Sequence, residues 1–111
     1  MSEERNIIIA SDSAISIRSF GDISDALGAR ISSEGLILTE ADLTPAFFDL
    51  RSGLAGELFQ KFTNYRIRLA IVLPEPNAYG QRFSELVYEH RRDHLIRFVR
   101  SEEEAKAWLR T

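Results

Sequence analysis

Two apolar runs, Gly35–Leu38 and Ile67–Leu73, read as buried strands, and they enclose a segment, Phe47–Arg66, that reads as a turn leading into an amphipathic helix. A continuous apolar run suits a strand covered on both faces, as in a parallel sheet flanked by helices. The order strand, turn, helix, strand therefore constrains the fold more than any other feature. In open α/β sheets, working residues gather in the crevice beyond the strand carboxyl ends. That places any site near the turn Arg51-Ser52-Gly53.

The other elements follow from the same patterns. Asn6–Ala10 and Ala14–Ile17 read as two short strands joined through Ser11-Asp12-Ser13, a hairpin. A helix is expected over Asp22–Ser32, with Ile23, Ala26, Leu27 and Ile31 on one face; Ser19 and Asp22 at its entrance approximate a capping box. The helix in the central segment covers about Gly53–Tyr65. Leu54, Leu58, Phe62 and Tyr65 form its apolar stripe, Ala55 and Phe59 widen it, and Glu57 and Lys61 stand on the other side in the favourable order. Pro74, Pro76 and Gly80 interrupt the chain before a helix over Tyr79–Arg91, which turns Phe83, Leu86, Val87 and His90 inward. Leu95–Val99 is a last strand, and Ser101–Glu104 is a capping box opening a helix that buries Ala105, Trp108 and Leu109. The order β-β-α-β-α-β-α-β-α, in one domain spanning 1–111, predicts a mixed, mostly parallel five-stranded sheet with about four helices and an antiparallel edge.

The chain has no cysteine, which excludes disulfides and zinc–thiolate sites. Its apolar stretches fall far short of the roughly 18 residues a membrane helix needs. The start MSEERNIIIA is polar before it is apolar, the reverse of a secretory signal, so a cytoplasmic location is expected. Net charge is −3 but uneven: residues 1–50 hold 3 basic and 9 acidic side chains, whereas residues 51–111 hold 11 and 8. A basic half suits an acidic partner. Its arginines are interleaved with glutamates, without the basic stripe of a nucleic-acid binder. Nucleic acid, membrane and cofactors are not expected as partners.

The pieces LILTEADL, Ser52-Gly53-Leu54, RLAIV and SEEEAKAWL occur in an order that resembles the STAS domains, the fold of the bacterial anti-sigma factor antagonists. The run FFDLRSGLAGE, continued by QKF and NYR, also resembles an uncharacterised bacterial family, domain of unknown function 4180. The first resemblance implies a STAS-like α/β fold and a non-enzymatic regulatory or protein-interaction module. Its partner would be a protein, of the kinase-like or sigma-regulating kind, with a homodimer as a further option. In STAS domains of this type the serine after an aspartate accepts phosphate. Aligned on Gly53, Arg51 takes that position and Leu50 the aspartate's. Arginine cannot accept phosphate. Either Ser52 is the phosphorylation site, or the loop is offset so that Asp49 supplies the acid, or the switch is lost.

The candidate partner-binding residues are Phe47, Phe48, Asp49, Arg51, Ser52 and Gly53. Phosphate on Ser52 would sit at a helix N-terminus, where amides and dipole favour an anion. The plainer role for Ser52 or Asp49 is helix capping. Arg51 either recognises an anionic group or pairs with Asp49 or Asp42. Phe47 and Phe48, extended, would point to opposite sides, one into the core and one outward as an anchor. Gly53 and Gly56 suggest close helix packing; the Leu54-Ala55 between them fits poorly to the Gly-x-x-Gly clamp of an RNA-binding KH domain. His90, Asp93 and His94 have metal-ligand types, but Arg91 and Arg92 oppose a cation. No nucleophile-elbow motif occurs, so no catalytic residue is assigned. A small-molecule or lipid pocket lined by Phe48, Phe59, Phe62 and Tyr65 is the alternative.

Overall fold

The computed structural model describes residues 7–10, 14–30 and 35–111. Four strands, β1 (Ile7–Ile9), β2 (Gly35–Thr39), β3 (Arg68–Val72) and β4 (Ile96–Val99), form one sheet in the order β1-β2-β3-β4. Every neighbouring pair is parallel, with Leu36 opposite Leu69 and Leu69 opposite Ile96. The helices are α1 (Phe20–Arg30), α2 (Pro45–Phe48), α3 (Leu54–Asn64), α4 (Gln81–Glu89) and α5 (Glu102–Leu109).

Right-handed crossovers in a sheet that advances one strand at a time all return over the same face. The packing agrees with this. Leu36, Leu38, Leu69 and Ile71 share one core cluster with Ile23 and Ala26 of α1, Leu58 and Phe62 of α3, and Phe83 of α4. The opposite face carries Ile37, Ala70 and Val72, which pack with Ala105 and Leu109 of α5. Gly35 makes the second contact possible: a Cβ there would stand 2.6 Å from Leu109 Cδ2 and 3.1 Å from the Arg68 carbonyl oxygen.

The expected sheet is corrected in two respects. Among the described residues there are four strands rather than five, and no antiparallel edge. Ala14–Ile17 is not a hairpin strand: Ala14 has a positive φ of 57°, and Ile17 makes only an isolated parallel bridge to Leu43. Its amide donates to the Asp42 carbonyl (2.8 Å) and its side chain is fully buried. The apolar alternation there records a side chain plugging the core, not a ladder. The turn Ser11-Asp12-Ser13 lies outside the described residues, as do Ile31 and Ser32 at the expected end of the first helix. That helix begins earlier than expected, at Phe20, and Asp22 Oδ2 accepts from the Ser19 amide at its entrance (3.2 Å).

Helix α3 buries Leu54, Ala55, Leu58, Phe59 and Phe62 as its spacing predicts. Tyr65 does not complete the stripe: it is the C-cap and is 64% exposed. Beyond it the Ile67 amide donates to the Phe62 carbonyl (2.9 Å) and the Arg66 amide to Thr63 (3.1 Å), a Schellman closure with Arg66 at φ 56°. Glu57 and Lys61 pair at 3.7 Å, and Lys106 and Glu102 of α5 at 3.2 Å. The Glu104 amide donates to Ser101 Oγ (3.1 Å), as the capping motif requires. Among the described residues no helix is long and apolar enough to cross a membrane.

Candidate functional site

The site is built by two connections that leave the carboxyl ends of β2 and β3. After Thr39 the chain makes a 3-10 turn, Glu40–Asp42, locked by Asp42 Oδ2, which accepts from the Thr39 amide (2.8 Å) and hydroxyl (3.1 Å). Asp42 is only 6% exposed, so it is a structural acid and not a partner for Arg51. Thr44 then precedes α2, with Pro45 at its first position, where a missing N–H costs nothing. A second 3-10 turn, Leu50–Ser52, leads to Gly53, whose φ of 81° is the left-handed conformation that lets the chain enter α3.

Because α2 is helical, Phe47 and Phe48 do not alternate as they would in an extended segment. Phe47 is fully buried, edge-on to Phe59 and Phe83. It is therefore withdrawn from the partner-binding set. Phe48 is half-buried and stacks face to face on Tyr79, with ring centroids 3.8 Å apart. Tyr79 lies on the connection after β3, a 3-10 turn over Pro76–Tyr79, and its hydroxyl donates to the Glu40 carboxylate. The stack joins the two connections across an open cleft of about 1180 Å³, whose walls include Thr44, Asp49, Arg51 and Arg82.

The turn that forms one wall is exposed and internally bonded. Asp49 Oδ1 accepts from the Arg51 amide (3.1 Å), and the Arg51 guanidinium reaches it at 3.4 Å. Arg51 is 88% exposed at its side chain, so solvent screens most of that pairing. Ser52 Oγ donates to the Ala46 carbonyl (2.6 Å) and accepts from the Leu54 amide (3.2 Å). The hydroxyl thus clasps α2 to the start of α3.

The other sequence candidates fall elsewhere. Gly56 has open space around it and Gly53 precedes the helix, so the two do not form a close-packing face. Phe59 and Phe62 are core residues and Tyr65 is exposed, so they do not line a pocket with Phe48. His90 ends α4, with Nδ1 2.9 Å from the Leu86 carbonyl oxygen and its ring edge-on to Phe59 and Phe98. His94 is exposed beyond the helix. Asp93 Oδ1 accepts from the amides of Leu95 (2.7 Å) and Ile96 (2.9 Å), setting the entry to β4. Burial pushes the Asp93 carboxyl up, but those two amides and the nearby His90 and His94 outweigh it and hold it below the usual value. Among the described residues no group of three or more His, Cys, Asp or Glu is placed to hold a metal. Two residues of the neighbourhood, Tyr79 and Phe20, were not singled out by the sequence. Tyr79 reads as a helix start, and only pairing of the two connections shows its ring in the cleft. Phe20 opens α1 and lies beside Gly53; an aromatic just before an N-terminal acid was the available signal.

Fold and site together define a small parallel α/β domain with an open cleft beyond the carboxyl ends of its two central strands. Residues 2–109 match the family described as a domain of unknown function (DUF4180), and the chain belongs to that family. No curated protein and no solved structure matches the chain.

Proposed function

We propose that this domain is a non-enzymatic, cytoplasmic protein-interaction module of regulatory type, and that its partner docks on the edge formed by Phe48, Asp49, Arg51, Ser52 and Gly53. The reading keeps the STAS-like comparison for mode of action: a partner reads the turn where a central strand hands over to a helix. One observation carries it. The turn stands exposed as a wall of the cleft while its own polar groups are bonded to each other, which gives a partner a preformed rather than a mobile surface. A standard serine switch does not fit this reading. The Ser52 hydroxyl already donates to one carbonyl and accepts from one amide, so phosphate would have to open the clasp that shapes the edge.

The test is affinity capture from the native host with the wild-type chain and with Arg51→Glu, which alters an exposed side chain and leaves the core intact. A protein retained by the first and released by the second is the expected result. If both variants retain the same proteins, or neither retains any, the module reading fails. A thermal-shift screen with nucleotides, fatty acids and anions addresses the alternative, a small ligand in the cleft. A shift of several degrees with one class would favour that ligand over a protein.

A further inference from the structure

Phe48 is the aromatic member of the proposed docking edge, yet its ring is already engaged. Tyr79 lies flat on it, with centroids 3.8 Å apart and planes 7° from parallel. Phe47 and Phe83 meet it edge-on, at 5.4 and 5.1 Å. The ring face that a partner would use is therefore taken by the chain's own tyrosine. The Tyr79 hydroxyl donates to the carboxylate of Glu40, an exposed residue. A ring face beside a carboxylate is a seat for one kind of group, an aromatic ring that carries a donor. Tyr79 is that group, supplied from within.

The segment that delivers Tyr79 is lightly tied to this seat. It runs from Pro74 to Gly80, and Pro74, Glu75, Asn77 and Ala78 are exposed. Among the described residues, the hydrogen bond and the ring stack that join it to the first connection both belong to Tyr79. Near-parallel rings this close have little offset, an arrangement that aromatic pairs favour less than offset or edge-on contact. On its other side the segment is tied to α4, where Ser84 Oγ donates to Asn77 Oδ1 (3.0 Å). Gly80 joins the two with φ 97° and ψ 167°, a conformation reserved for glycine, and a Cβ there would meet nothing within 4 Å. The joint has both the freedom and the room to turn. The bonds that shape the turn Asp49–Gly53 involve no residue of this segment, so the edge keeps its form when the segment leaves.

We infer that Pro74–Gly80 is an autoinhibitory strap: Tyr79 plugs the seat made by Phe48 and Glu40, and a partner protein gains the docking edge by putting a tyrosine of its own in that place. This rests on the module reading and adds to it a regulatory contact and the side chain that relieves it.

The probe is N-acetyltyrosinamide, titrated into the full chain and followed by amide NMR. Tyr79→Ala should bind it roughly tenfold more tightly than wild type, because the seat no longer has to be emptied first, with shifts at Phe48 and Glu40. N-acetylphenylalaninamide lacks the donor and should bind the same variant more weakly. Tyr79→Phe keeps the ring and loses only the hydroxyl; it covers the case in which Tyr79→Ala does not fold, and it should gain about threefold. A protein captured by wild type should be held by Tyr79→Ala at roughly tenfold lower bait concentration, a gain that a merely structural tyrosine would not give. The strap is overturned, with the module reading left intact, if neither variant binds the probe better than wild type, if the shifts lie away from Phe48, if the phenylalanine probe binds as tightly, or if Tyr79→Ala captures less of the protein. Capture of no protein by any variant removes the module reading and the inference with it, even where the probe still finds the seat.

Discussion

Ser52→Ala tests the clasp on which the proposed edge depends. The substitution deletes a donor to the Ala46 carbonyl and an acceptor for the Leu54 amide. A net hydrogen bond contributes about 0.5–1.5 kcal/mol, and Ser-to-Ala at a helix entrance costs about 0.5–2 kcal/mol. Both partners can turn to water at this exposed turn, so the lower half of the summed range applies, about 1.5 kcal/mol. Unfolding entropy near 60 °C is about 2.1 cal/mol/K per residue, or about 0.23 kcal/mol/K for this chain, which converts that loss to a fall of about 6 °C in Tm. Differential scanning calorimetry reads it directly. Ser52→Asp should do no better: its carboxylate still accepts from the Leu54 amide, but it meets the Ala46 carbonyl as acceptor against acceptor. A Ser52→Ala midpoint within about 1 °C of wild type would refute the clasp, because the cost then lies well below one net hydrogen bond.

Arg66→Gly should stabilise by about 1 kcal/mol, since a left-handed φ of 56° at the Schellman position strains arginine and not glycine; urea denaturation would show a raised midpoint at constant m. Gly56→Ala should add about 0.5–1 kcal/mol, because the new methyl meets nothing within 4 Å on α3. Gly35→Ala should cost about 1–3 kcal/mol by forcing Leu109 aside, and Trp108, the chain's single tryptophan, would report the displacement of α5 as a change in fluorescence. The folded Asp93 carboxyl lies below its unfolded value of 3.8, so its contribution is present above that value and is lost as pH falls through the folded one. Asp93→Asn keeps an acceptor without the charge, and its stability deficit at neutral pH, about 1 kcal/mol, should shrink below about pH 4 in pH-resolved melts.

The legible parts of this fold are those where pattern and packing coincide. RLAIV and GLIL are apolar on both faces and are strands with both faces covered. The stripe of α3 was readable down to Phe62 because 3.6-residue spacing maps directly onto the sheet face it meets. Ala14–Ile17 misled because alternation needs a partner to become a ladder, and a single buried Ile17 produces the same alternation. Phe47 and Phe48 misled because Thr44-Pro45 starts a helix too short to have a period of its own. The position of the cleft was legible, since strand carboxyl ends are fixed by topology. Its composition was not. The Phe48–Tyr79 stack and the approach of Phe20 to Gly53 join residues far apart in the chain, and no local spacing encodes them.

The one-step advance of the sheet also bears on how the chain is made. Each new strand finds its neighbour already synthesised, so pairing can proceed from β1 outward, each step waiting only for the crossover that brings the next strand. The exception is the face that packs with α5. Ile37, Ala70 and Val72 belong to strands two and three, yet the residues that meet them, Ala105 and Leu109, emerge from the ribosome long afterwards. During that interval the nascent domain carries a bare oily plane, and a chaperone or a premature contact has its clearest opportunity there.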